Sequence, residues 1–302
     1  MKIFYTDHFH LPLPSGHRFP MSKYRRLRKR IVDDETLRDD VLLVPSAAND
    51  DQLLTCHDAD YVERVKTGTL DAAEVRRIGF PWSPRMPERS RRSVGATIAA
   101  ARAALDGDGV SVNLAGGTHH AMTNAGEGYC VFNDAAVAIR SLRHEGRLNR
   151  AAVVDLDVHQ GNGTAQIAAS DPDIFTLSIH GERNFPLRKF PSDLDVALPD
   201  GTSDADYLSA LRNALSVLDR SGRWDLVIFL AGADPLAEDR LGRLSLSKNG
   251  LSQRDEHVLR WCFERQIPLA IAMAGGYAPR IDDIVDVHHQ TVRIASRWAE
   301  SG

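Results

Sequence analysis

Residues 151–162 read Ala-Ala-Val-Val-Asp-Leu-Asp-Val-His-Gln-Gly-Asn. The apolar opening has no polar alternation, which is the pattern of a strand covered on both faces. It then turns abruptly to Asp155, Asp157 and His159, spaced by two. If the chain stays extended, that spacing puts all three on one side. Two carboxylates side by side at the end of a buried strand repel unless a proton or cation lies between them. A divalent metal resolves the repulsion, and His159 supplies a nitrogen ligand. An apolar strand with an acidic carboxyl end fits an open parallel sheet, where ligands bind beyond the strand ends.

The same change of character recurs along the chain. Strands are predicted at Lys2–Tyr5, Val41–Val44, Val110–Leu114, Ala151–Leu156, Ile174–Ile179, Leu226–Leu230 and Pro268–Ala274. After five of them come Gly116-Gly117-Thr118-His119-His120, the Asp155–Asn162 segment, His180-Gly181, Ala231-Gly232-Ala233-Asp234 and Gly275-Gly276-Tyr277. Helical periodicity fills Ala59–Lys66, Arg89–Leu105, Ala135–His144, Ala205–Arg220, Gln253–Arg265 and Ile281–Ala299. Asn133 is a candidate N-cap, Ser252 with Asp255 resembles a capping box, and Gly107, Gly146 and Gly222 sit where helices should stop. The alternation predicts an α/β fold: a single domain over 1–302 with a mostly parallel sheet, helices on both faces and the active site at the carboxyl ends of the strands. Phe80–Pro87 and Gly181–Pro191 read as ordered loops, and Lys23–Arg30 (KYRRLRKR) as a solvated helix face balanced by the acids at Asp33–Asp40.

Composition bounds the rest. The 302 residues are 43% hydrophobic and 26% charged, which excludes collagen-like, disordered and membrane-spanning classes. A net charge of -4 gives no global basic field to recruit nucleic acid. Cys56, Cys130 and Cys262 are scattered, so neither a cysteine zinc site nor a disulfide framework is expected. The first residues break their apolar run at once, and no apolar run is long enough to span a bilayer. The expected setting is a reducing cytoplasm with no membrane partner.

Within this frame Asp234 is a third candidate metal ligand from another strand end. His119-His120, after two glycines, suits proton transfer near neutral pH. His288-His289, in a charged terminal helix, is read as structural. The Tyr277 phenol can donate to a developing oxyanion. No Walker, Rossmann or G-x-S-x-G pattern is present.

GGTHHA (116–121), GYCVFNDAAVA (128–138), DLDVHQGNGT (155–164), LSIH (177–180), AGADPLAEDRLGRLSLS (231–247) and AGGY (274–277) together resemble the zinc-dependent histone deacetylase family, with the arginase/deacetylase fold. The resemblance runs from about Tyr5 to the last helix. DLDVHQGNG and AEDRLGRLSLS look closer to class IV deacetylases and compact bacterial relatives than to class I. The resemblance implies a hydrolase that removes acetyl or longer fatty acyl groups from the lysine ε-amine of a peptide or protein. It implies Asp157, His159 and Asp234 as ligands of Zn2+, with Fe2+ the alternative ion. His120 becomes the general base and acid, His119 its tandem partner held by Asp155, Asn162 the partner of His120, and Tyr277 the oxyanion stabiliser. It further implies a structural K+ near Asp155, Asp157, His159, Ser178 and Ile179, and an acyl-lysine channel at Gly128, Tyr129, Phe185, Gly275 and Gly276.

Two departures stand out. Asn162 occupies the position of an aspartate in class I enzymes, and no acidic rim residue matches near Pro81–Met86. Other readings keep the site and change the ligand. An acylamine or acetylpolyamine deacylase would use a gate acid such as Glu182. A metal-holding acyl-lysine binding module would not need both histidines and the tyrosine, all of which are present. A binuclear ureohydrolase would need more carboxylate and histidine ligands than one D-x-D-x-H supplies. The compact, Arg- and Ala-rich chain suggests a bacterial source.

Overall fold

Eight strands form one sheet in the computed structural model, which describes residues 1–300. They are β1 (Lys2–Phe4), β2 (Val41–Leu43), β3 (Val110–Asn113), β4 (Ala151–Asp155), β5 (Ile174–Gly181), β6 (Leu194–Leu198), β7 (Leu226–Leu230) and β8 (Leu269–Ala272). Their order is β2-β1-β3-β8-β7-β4-β5-β6, and every neighbouring pair is parallel. The helices are α1 (Lys23–Val32), α2 (Asp50–Leu54), α3 (Ala59–Thr67), α4 (Ala72–Ile78), α5 (Arg85–Ala103), α6 (Asp134–His144), α7 (Asn162–Ala168), α8 (Asp204–Arg220), α9 (Lys248–Glu264) and α10 (Ile281–Ala299). The result is a single α/β domain with helices on both faces.

Period-two geometry explains the two-sided burial. Along β7, Val227 and Phe229 pack with Leu211 and Leu218 of α8, Val258 of α9 and Ile294 of α10. Leu226, Ile228 and Leu230 point the other way, into the cluster with Val94 and Ile98 of α5 and Val137 and Ile139 of α6. Both sets must be apolar, so no alternation shows in the sequence. The four central strands β3, β8, β7 and β4 are adjacent. Their carboxyl ends therefore meet at one place.

All seven predicted strands form, with ends shifted by a few residues at most. The missed strand, β6, lies at the sheet edge, where only its alternate residues pack inward. Asn133 caps α6, its side chain accepting from the Ala136 amide. The short helices α2, α4 and α7 were not predicted, because so few turns carry little periodicity.

Three expectations need correction. Ser252 and Asp255 do not start a helix. Ser247 is the N-cap of α9, and Asp255 is buried beside Arg254 inside it. The loop predicted over Phe80–Pro87 ends early: α5 begins at Arg85, and Pro87 lies in its first turn, where a missing N–H costs nothing. The basic run is not simply a solvated face. Leu27, Ile31 and Lys23 are buried, while Arg26, Arg28 and Arg30 pair with Asp282, Asp7 and Asp286. Only Lys29 reaches an expected acid, Asp33.

One buried histidine ties the fold to pH. His57 Nδ1 meets the Met122 carbonyl at 3.0 Å, and Nε2 accepts from the Asn133 amide at 2.9 Å. The second bond requires an unprotonated Nε2, and burial pushes the pKa down to about 4 from the ordinary 6.5. The folded value lies below the unfolded one. The stabilisation is therefore complete above about pH 6.5 and is lost as pH falls toward 4. Melting temperature should fall over that interval. The His57→Gln variant should melt lower at pH 7.5 but lose less on acidification. Equal pH slopes in the two proteins would remove His57 as the cause.

Candidate active site

The ends of β4 and β7 set two carboxylates and an imidazole around one point. Ligand atoms of Asp157, His159 and Asp234 all lie within 4.8 Å of one another, and all three residues are buried. His159 Nδ1 is 2.9 Å from Asp157 Oδ1 and 3.2 Å from Asp234 Oδ2. The outer carboxylate oxygens are tied to backbone. Gly275 N–H donates to Asp157 Oδ2 (2.8 Å), and Val158 N–H donates to Asp234 Oδ1 (2.9 Å). Asp234 Oδ2 accepts no hydrogen bond although it is buried. A side chain at Gly275 would collide with both carboxylates, so this position must be glycine.

The charges show what the cluster wants. Burial opposes a charge on His159, but Asp157 and Asp234 outweigh it and push its pKa up to about 10. Burial and the Asp157 charge raise Asp234 to about 7. Burial works against the Asp157 carboxylate too, yet His119 and His159 hold it well below the usual range. Without a metal, protons balance the two carboxylates. An oxygen-rich set with one nitrogen and an uncommitted buried oxygen fits a divalent cation that displaces those protons.

The tandem histidines sit beside this cluster, with ring centroids 4.1 Å apart. The turn carrying them is held by Asp134, which accepts from the Gly117 and Thr118 amides. His119 Nδ1 lies 2.6 Å from Asp155 Oδ2. Burial lowers its pKa, but Asp155 and Asp157 raise it further, to about 9. His120 faces a different partner. Its Nδ1 lies 2.7 Å from Asn162 Oδ1, while Asn162 Nδ2 donates to Glu127 Oε2 at 3.1 Å. Burial and the charges on His119 and His159 hold His120 well below 6.5. Glu127 as a carboxylate only accepts, so Asn162 must turn its NH2 to Glu127 and its carbonyl to His120. That fixes the Nδ1–H tautomer and leaves the Nε2 lone pair free.

Two cavities meet here. The outer one, about 440 Å3, has His120, His159 and Tyr277 in its lining, with walls of Gly128, Tyr129, Phe185, Ile78 and Leu241. The inner one, about 30 Å3, shares His120, His159, Tyr129 and Tyr277 and adds His119, Asp157, Gly275 and Arg89. Tyr129 sits at φ 67, with its backbone N–H donating to the Ile78 carbonyl. Phe185 stands over His120, edge to face at 4.9 Å. Its loop is ordered by Lys189 Nζ, which donates to the carbonyls of Glu182, Asn184 and Pro186.

The structure brings Asp155, Asp157, His159, Asp234, His119, His120, Asn162 and Tyr277 together. Ser178 is the register partner of Asp155, and its hydroxyl lies 3.0 Å from His180 Nδ1. Gly276 does not line either cavity. It packs behind the turn against Ile284. Glu182 is exposed outside the cavity, and arginines Arg18, Arg76 and Arg77 line the mouth instead. His288, buried behind Gly276, takes no part in the cavities.

Four further residues at or behind the site had no role there in the reading of the sequence. Glu127 orients Asn162. Asp239 accepts from the Tyr277 amide (2.5 Å) and from the amides of Leu241 and Gly242, joining tyrosine and cavity wall. Buried Lys23 donates to the carbonyls of Ala274 and Gly276. Arg254 donates to the carbonyls of Leu156 and Gly232, each two residues or fewer before a metal ligand. Glu127 and Asp239 lie in or next to the quoted motifs; nothing local marks Lys23 or Arg254.

The sequence profile of the histone deacetylase domain matches residues 17–292. The chain is 41% identical to an uncharacterized protein of Picosynechococcus sp. over 293 residues, 97% of each chain. It is 34% identical to histone deacetylase 2 of Arabidopsis thaliana over 271 residues, 86% of this chain and 70% of that protein. The solved HDA15 HD domain superposes with a TM-score of 0.81 at 19% identity, covering 98% of this chain and 91% of that one, a likeness of fold. No helix among the described residues is long and apolar enough to cross a membrane.

Metal binding should release protons from His159 and Asp234 and weaken as pH falls through 7. Calorimetry with Zn2+ in buffers of different ionisation enthalpy should show one ion per chain and net proton release. Asp234→Asn should abolish the tight site. Binding with no proton release would contradict the charge balance described above.

Proposed function

The chain belongs to the histone deacetylase family and is a metal-dependent amidohydrolase; from that premise we propose that it removes acetyl or similarly short acyl groups from the ε-amine of lysine. The observation that carries this reading is the outer cavity lined at once by His120, His159 and Tyr277, beside the ligand cluster. The inner cavity supports a short acyl group. At about 30 Å3 it has by itself room for a methyl group or about one water.

Asp157, His159 and Asp234 would hold Zn2+, which supplies Lewis acidity toward the acyl carbonyl and lowers the pKa of water. The chain's own residues do the rest. His120, neutral and with Nε2 free, takes the proton from the attacking water and later delivers it to the leaving amine. His119, kept protonated by Asp155, holds positive charge beside the reacting carbon. Tyr277 stays protonated, because burial and the charges of Asp157 and Asp234 hold its pKa well above 10. Its hydroxyl is thus a donor for the developing oxyanion. Tyr129 and Phe185 flank the lysine methylenes and exclude water.

A structural K+ belongs to the same reading, near Asp155, Asp157, His159, Ser178 and Ile179; the burial of Asp155 and its pairing in register with Ser178 support it. DLDVHQGNG and AEDRLGRLSLS support a place near the class IV deacetylases.

Zinc-loaded protein should release acetyl from lysine peptides in a chelator-sensitive reaction, and much less from a myristoyl series followed by mass spectrometry. Preference for myristoyl would overturn the assignment of the inner cavity. Tyr277→Phe should keep the metal and lose about 10²–10³ in kcat. Turnover at the wild-type rate would remove the assigned role. Glu127→Gln frees the Asn162 amide to flip, so kcat should fall about tenfold at unchanged metal content. An unaltered kcat would show that Asn162 needs no carboxylate behind it.

A further inference from the structure

The mouth of the outer cavity carries positive charge that the chemistry at its floor does not use. Arg18 reaches it from the segment before α1, and Arg76 and Arg77 from the last turn of α4. All three are exposed, and none has an ion-pair partner among the described residues. Acid is not scarce in this chain, with 41 Asp and Glu against 37 Lys and Arg. Some arginines elsewhere find partners, as Arg28 does with Asp7 and Arg30 with Asp286, while others such as Arg85 and Arg223 pair with no acid among the described residues; what marks the mouth is that three such cations gather at one opening. Cations in a last turn also suit the helix dipole, which accounts for Arg76 and Arg77 taken alone. Arg18 has no such reason, and its charge opposes the burial-driven rise of the Tyr129 phenol, which places it by the aromatic wall. The only carboxylate in the lining is that of Glu127, which is engaged by Asn162.

We propose that this mouth recognises acidic residues flanking the acyl-lysine, so that the enzyme works on acidic peptide or protein segments and not on basic tails or cationic acylamines. Guanidinium forks match carboxylates two bonds at a time. A cationic acylpolyamine would instead bring its free ammonium groups against three like charges. Exposed pairs are individually weak. Their combined effect should be visible mainly at low salt, where it also speeds encounter. The inference rests on the deacylase reading, and the test separates the two.

Three fluorescein-labelled acetyl-lysine peptides would differ only in their flanks: Asp and Glu, Ser and Ala, or Lys and Arg. Anisotropy reads their binding to the zinc-loaded protein, and mass spectrometry reads turnover. The acidic peptide should bind about tenfold tighter than the basic one at low salt, with the ratio shrinking as salt rises. The combined Arg18→Glu, Arg76→Glu and Arg77→Glu variant should invert the order, and the corresponding Gln variant should flatten it. Equal binding of the three peptides, tighter binding of the basic one, or an order unmoved by either variant overturns the proposal. Charge-ordered binding without turnover of any peptide would sustain the mouth and sink the deacylase reading. Turnover of all three without preference would do the reverse.

Discussion

Two carboxylates, Asp157 and Asp234, are buried together at the ends of adjacent strands, and the surrounding structure answers their repulsion. Backbone amides of Val158 and Gly275 each take one oxygen. The remaining oxygens turn toward His159. An unshared pair of buried charges would cost several kcal/mol, so such a cluster persists only with a cation or protons inside it. The fold makes this possible because β4 and β7 are neighbours in the middle of the sheet, where both strands are covered on both faces. Burial leaves the neutralising to protons or a cation.

The supports behind the cluster are cationic as well. Arg254, paired with Asp255, donates to the Leu156 and Gly232 carbonyls and locks α9 to the ends of β4 and β7. Lys23 does the same for the Ala274–Gly276 turn. These donors meet carbonyls that the end of the sheet leaves without partners. They fix where Gly275 sits, and with it the amide that Asp157 needs.

The two neighbouring histidines show how environment divides labour between identical side chains. His119 faces the Asp155 carboxylate and is held in its charged form. His120 faces a neutral amide, between two positively charged imidazoles, and stays neutral. The asparagine in place of a carboxylate does not leave His120 without direction. Glu127 stands one residue further back and turns the amide, so tautomer is set by a carboxylate that never touches the ring.

By itself the sequence determined the strand bodies, the polar switch at their ends and the residues that could ligate a metal. These rest on local facts: the two-residue period of a strand, the run of apolar residues that two-sided burial requires, and the chemistry of Asp and His. It also carried motif identity, which gave the fold and the reaction class. It did not show β6, whose single buried face is too short to stand out, or the start of α9, where Ser252 imitated a cap. Above all it did not show which charge meets which. Lys23 meets its carbonyls 251 and 253 residues away, Glu127 meets Asn162 across 35, and Asp239 meets Tyr277 across 38. No spacing rule links such pairs, because their distance in space is set by sheet order, not by period. Only the tertiary structure decided them, and with them the neutral state of His120, the shape of the outer cavity and the arginines gathered at its mouth.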